Sequence, residues 1–210
     1  MDEAGKRPEK LAANPLQAYD DTVAALGSAL QLKDAETLGH CARVTAFTIS
    51  IAKTVLVPMN YPILARAAFL HDIGKMDIPD SILRKPGPLD NDEKKIMRTH
   101  CEIGYNVLTR IPFLRYEAEI VLAHHEFFDG TGYPRGLRGE QIPLGARILS
   151  LANALDAMLS DCPYRKALPL SHGRKEIKRC AGTQFDPKIV EVFLTIPENH
   201  WIELRRQISS

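Results

Sequence analysis

Apolar positions recur at spacings of three and four through most of this chain, and convincing alternation of period two is absent. Leu16, Tyr19, Val23, Leu26 and Leu30 make one amphipathic stripe. A second helix is expected from Ala35 to Val57. A third opens at Pro62 and runs to about Ile73. In "LDNDEKKIM" Asp90 followed by Glu93 has the form of a capping box, so a helix is expected from there to about Arg110, stopped by Pro112. Further helices are expected over 113–126 and 143–160. In "FDPKIVEVFL" Asp186 is placed as a cap and Pro187 at the first helical position. Between these elements, residues 127–143 hold four glycines and two prolines and read as a loop. The expected fold is all-α, a single helical domain of about seven to nine helices over residues 16–210, preceded by a flexible tail or linker remnant over residues 1–15.

Composition narrows the function without naming it. The chain has 210 residues, 45% of them hydrophobic, and a net charge of +1. That balance gives no electrostatic argument for a nucleic acid polymer or a membrane surface. Apolar runs fall short of a bilayer span, and the charged first residues lack the apolar stretch of a signal peptide, so a cytoplasmic location is expected. The four cysteines are scattered without a CxxC pair and read as reduced structural thiols.

The histidines carry the chemistry. Five of the seven fall on otherwise apolar helical segments. Glu36 and His40 stand at i and i+4 in "ETLGH". His71 and Asp72 adjoin in "LHDIGK", which adds Lys75. His100 sits in "MRTHCEIG", and His124 and His125 close a later helix. Each alone reads as a hydrogen-bonded core residue. Together they would need many separate buried polar partners, whereas one metal cluster satisfies them all. Imidazole and carboxylate without thiolate suit iron, manganese or another first-row ion. A carboxylate such as Asp72 can bridge two ions, an arrangement suited to phosphate-ester hydrolysis. His172 and His200 fall outside this set and read as surface residues.

"HDIGK", followed by "HHEFFDGTGYPRGLRGEQIP", resembles the HD-GYP family of the HD phosphohydrolase superfamily. "ILRKPGPL" and "GTQFDPKIV" extend the resemblance over roughly residues 33–195. The resemblance implies an all-helical domain with two or three divalent ions, iron or manganese, that hydrolyses cyclic di-GMP to pGpG or GMP. It implies Glu36, His40, His71, Asp72, His100, His124 and His125 as metal ligands, the last two serving different ions. Lys75 is implied at a substrate phosphate, and Tyr133, Arg165 and the position of Cys162 at the substrate. It further implies cyclic dinucleotide as the small-molecule partner, with an upstream sensory domain, diguanylate cyclase domains or a second copy of the chain as protein partners. The residues before the first helix are too few for a sensory domain, and the stripe at 16–32 is a candidate dimer surface, although packing on its own core is the expected use. Three positions depart from the pattern. Asn153 in "ANALDA" takes a ligand position usually held by Asp, Cys162 stands where Arg is common, and Phe127 follows "HHE" where Arg is frequent. They leave a second reading open, a binding module that holds metal or cyclic dinucleotide with little turnover. Hydrolysis of another nucleotide is a third.

Overall fold

The computed structural model describes residues 15–33, 37–161 and 166–209, and these are all-α as expected. The tail and the segments holding Glu36, Cys162 and Arg165 lie outside the described residues. Helix α1 spans Pro15–Lys33, α2 Thr37–Thr54, α3 Tyr61–Leu70, α4 Asp80–Leu83, α5 Asn91–Arg98 and α6 His100–Leu108. Then come α7 Arg115–Ala123, α8 Leu144–Leu159, α9 Leu170–Arg179, α10 Pro187–Thr195 and α11 Glu198–Ser209. The described residues thus hold eleven α-helices, against the seven to nine helices expected. Of the additional ones α4 is a single turn, and the helix expected from residue 90 to 110 is two.

Helix α2 is the centre of the packing, flanked by α3 and α8 and crossed by α11. Phe47 and Ile51 of α2, Leu151 and Leu155 of α8, Phe193 of α10 and Trp201 of α11 share one buried cluster. A second cluster joins Val23 and Leu30 of α1 to Leu70, Leu108 and Val121. The stripe on α1 is therefore spent on its own domain, and Tyr19 stacks on Phe113 with ring centroids 4.0 Å apart. Both expected caps are present. Asp90 accepts from the Asp92 and Glu93 amides while the Glu93 carboxylate takes the Asp90 amide, and Asp186 accepts from the Lys188 amide. Among the described residues, no helix is long and apolar enough to cross a membrane.

Two departures from the expected helices position the site. Helix α3 stops at Leu70, and the chain tightens into a 3-10 segment over Ile73–Asp77. The cause is tertiary. Gly74 lies so close to α6 that a Cβ there would stand 1.9 Å from the His100 carbonyl oxygen. Helices α5 and α6 part at Thr99, whose amide bonds to the Ile96 carbonyl at 3.0 Å, an i to i−3 contact tighter than the α pattern. The break lets α5 stay entirely at the surface while α6 buries His100 and Cys101.

Candidate metal centre

Three histidines are held alike. Each ring places Nδ1 against the backbone carbonyl three residues earlier: His71 to Ala68 at 2.8 Å, His100 to Met97 at 2.8 Å and His124 to Val121 at 2.6 Å. A carbonyl can only accept, so Nδ1 carries the proton. Nε2 is thereby turned inward as the atom left to bind a metal once it gives up any proton, which is how metal-binding imidazoles are oriented. His40 follows the same logic with a carboxylate. Its Nδ1 meets Asp156 Oδ2 at 2.8 Å, and Arg43 grips that carboxylate at 2.7 and 3.0 Å.

The free nitrogens converge around Asp72. Oδ2 lies 3.3 Å from His71 Nε2, 3.9 Å from His40 Nε2 and 2.8 Å from Lys75 Nζ, while Oδ1 lies 3.6 Å from His100 Nε2. Two close groups of ligand atoms result. One is His40, His71 and Asp72; the other is His100, Cys101, His124 and His125. Asp72 thus turns one oxygen toward each. The rings of His124 and His125 lie 4.1 Å apart and fall in one group, although the resemblance had them serve different ions.

This arrangement fits metal ions on its own geometry. His71 Nε2 is buried without a hydrogen-bond partner. His100 Nε2 and His124 Nε2 face one another at 3.4 Å, each with its proton committed elsewhere. The two opposed lone pairs are costly unless a cation lies between them, and the Asp72 carboxylate 3.3 Å from His71 Nε2 adds negative charge beside them.

Charge follows the same layout. Burial works against ionised Asp72, but His71 and Lys75 hold it well below the usual carboxylate range. Burial alone would lower His71, yet the Asp72 carboxylate raises it to about 10. Burial lowers His100 and, with charge on His100, takes His125 down to about 3. Burial and the neighbouring histidines hold His124 well below the imidazole range. The thiol of Cys101 is pushed up by burial and by Asp72.

These shifts fix how stability of the chelator-treated protein depends on pH. His100, His124 and His125 are depressed, so the unfolded chain binds more protons below about pH 6.5 and stability falls as the pH falls. His71 is raised, so its contribution is complete below about pH 6.5 and is lost as the pH climbs through about 10. The melting temperature should peak near pH 6.5–7, with each unmatched proton weighing about 1.4 kcal/mol per pH unit. Thermal melts at half-unit steps check this. A melting temperature unchanged between pH 7 and 5, above the range where ordinary carboxylates titrate, would refute it.

The site floors a cavity of about 770 Å³, a volume suited to a small-molecule ligand. Lys75, Tyr133 and Asn153 line it, together with Arg43 and Arg205. The glycine-rich loop makes one wall. Tyr133 stacks on His125 at 4.9 Å, and the Arg98 guanidinium lies over the Tyr133 ring at 4.8 Å. Buried Glu126 takes the amides of Arg135 and Leu137 at 2.7 and 3.0 Å and so folds the loop back. Gly132 is required there, because a Cβ would stand 2.2 Å from the Phe127 nitrogen. The Phe128 and Asp129 amides bond to the Gln184 and Thr183 carbonyls, which ties "GTQFDP" to this wall. His172 and His200 are exposed and far in role, with His200 bonded to Ser50.

The sequence reading did not find Arg43, Glu126, Arg98, Arg205 or Cys101. Arg43 had a local signal, since it follows His40 by three residues on one helix face. The others are set by tertiary approach.

An HD domain family model matches residues 25–189. The chain belongs to the HD domain family. This HD domain is 38% identical over 206 residues to a Thermotoga maritima protein named cyclic di-GMP phosphodiesterase, covering 95% of the chain and 56% of that protein. It is 36% identical over 181 residues to a Vibrio cholerae protein named 3'3'-cGAMP-specific phosphodiesterase 2, covering 85% of the chain and 34% of that protein. The chain thus spans about half the length, or less, of the curated relatives it matches. A solved Bdellovibrio bacteriovorus structure, described as an HDG"Y"P protein, superposes with a TM-score of 0.60 at 20% identity, over 94% of this chain and 66% of that one. That likeness shows the shared fold.

Proposed function

We propose that this HD domain is a metal-dependent phosphodiesterase that hydrolyses cyclic di-GMP to pGpG or GMP. One observation carries the reading: two ligand groups joined through Asp72 at the floor of a cavity that Lys75 and Tyr133 also line. The names of the relatives at 38% and 36% identity support a cyclic dinucleotide as substrate. His40, His71, Asp72, His100, His124 and His125 would hold two or three divalent ions, with iron or manganese suited to imidazole and carboxylate donors. Glu36 and Asn153 complete the proposed ligands, and Arg165 and the position of Cys162 the proposed substrate contacts. When bound, such ions supply positive charge for the phosphoryl oxygens and acidify water for attack. Lys75 places its ammonium at the cavity beside Asp72 and would take up charge developing on a phosphoryl oxygen. Asp156, clamped by Arg43, orients His40. Tyr133, packed against His125 and Arg98, lines the cavity and would contact the substrate there.

Neutral Asn153 favours one other reading, a receptor that binds the dinucleotide and turns it over slowly. Protein reconstituted anaerobically with Fe²⁺ or Mn²⁺ should hydrolyse cyclic di-GMP faster than 3'3'-cGAMP or cyclic di-AMP, as followed by chromatography. Asn153→Asp should raise both metal occupancy and rate. Binding of cyclic di-GMP without hydrolysis, by protein shown to hold two ions, would move the assignment to the receptor.

A further inference from the structure

We infer that Cys101 is a thiolate ligand of the metal group it forms with His100, His124 and His125. The inference rests on the metal centre proposed above and adds a donor that neither the histidine pattern nor the resemblance supplied. Cys101 is fully buried, and its Sγ lies 3.5 Å from His100 Nε2. His100 Nε2 in turn lies 3.4 Å from His124 Nε2, and the four ligand atoms all fall within 4.8 Å of one another. A tetrahedral ion at the usual metal–nitrogen and metal–sulfur distances of about 2.0 and 2.3 Å holds two nitrogens about 3.3 Å apart and a nitrogen and sulfur about 3.5 Å apart. The two short separations match those values.

A simple hydrogen bond from the thiol to His100 explains only one of them. A single S–H proton satisfies one nitrogen. It leaves His124 Nε2 facing His100, because both rings have already spent Nδ1 on backbone carbonyls. A cation among the three atoms satisfies all of them. Charge points the same way. Among the described residues of the two groups, Asp72 is the one carboxylate beside five imidazoles. Two dications there would share one described anion, and a thiolate supplies another. On binding, the ion takes the sulfur lone pair and the S–H proton leaves to water, with no change of oxidation state. The two positions then differ in kind. The one beside Asp72, His40 and His71 is hard, and the one with sulfur is softer and favours zinc- or cobalt-like ions.

Cobalt reports this directly. Metal-free protein titrated with Co²⁺ should develop an intense near-ultraviolet thiolate-to-cobalt charge-transfer band alongside the weaker visible d–d bands. Cys101→Ala should lose the first and keep the second, whereas Cys180→Ser should keep both. A variant retaining Cys101 as its sole cysteine should keep the band too, and it decides the matter if Cys101→Ala does not fold. Visible bands without charge transfer in the wild-type protein would overturn the thiolate and leave the metal centre standing. A band that survives Cys101→Ala does the same. A folded protein that takes up no Co²⁺ would overturn both.

Discussion

Asp72→Ala is expected to empty the centre. The side chain is buried, and its oxygens are the one anionic surface that both described ligand groups face, at 3.3 Å from His71 and 3.6 Å from His100. Without it the two described groups keep only imidazoles and, on the inference above, one sulfur. Metal content should drop from two or more ions per chain to at most one weakly held ion. Hydrolysis should fall by more than about 100-fold, beyond the 10- to 100-fold typical of losing an outer partner of a ligand. Asp156→Asn provides that milder comparison, since Asp156 acts on the site through His40. The substitution should also rewrite the pH profile of the chelator-treated protein. With Asp72 gone, His71 loses its largest raising contributions and keeps only those from Cys41, so the loss of stability above about pH 6.5 should shrink while the acid limb remains. Metal analysis, turnover and melting curves on the same preparation read all three effects. Retention of two tightly held ions by Asp72→Ala would remove the bridging role.

The histidine set was legible because its residue types are costly to bury singly, and the five histidines and Asp72, all among the described residues, come together in two adjoining groups. The caps at Asp90 and Asp186 were legible because capping is local chemistry between residues two or three apart. What escaped the sequence depends on approach between distant segments. The Arg43 to Asp156 clamp joins residues 113 positions apart. Helices α9 and α11 carry mostly polar residues, so periodicity alone gave them little weight, yet Ile177 and Trp201 anchor them in the main cluster. Cys101 read as a small apolar filler, because burial of a free cysteine is ordinary. Only the positions of His100 and His124 around it give the sulfur a role. The helix expected to reach Ile73 ends early for a reason no local rule contains, the contact of Gly74 with α6.

That contact yields the second large effect. Gly74→Ala is expected to damage fold and site together. The added carbon would stand 1.9 Å from the His100 carbonyl oxygen and 2.6 Å from the Gly104 nitrogen, both backbone atoms of one helix that cannot rotate away. The 3-10 segment and α6 must separate by about 1.5 Å to restore ordinary contact at 3.4 Å. Overpacking of this kind costs about 1–3 kcal/mol, and a clash between two backbones belongs at the upper end. For a chain of this size that is a fall in melting temperature of roughly 6–12 °C. The movement also divides the metal groups, because Asp72 precedes Gly74 by two residues while His100 lies on the helix being pushed away. Their 3.6 Å contact should open, and a displacement of about 1 Å at reacting groups can cost about 100-fold in rate. Gly87→Ala is the control, since a Cβ there meets nothing within 4 Å. The Gly74 variant should lose stability, metal and turnover together, while the Gly87 variant stays near wild type in all three. Wild-type melting and metal content in Gly74→Ala would show that the two segments are not in this contact, and the placement of Asp72 against His100 would have to be redrawn.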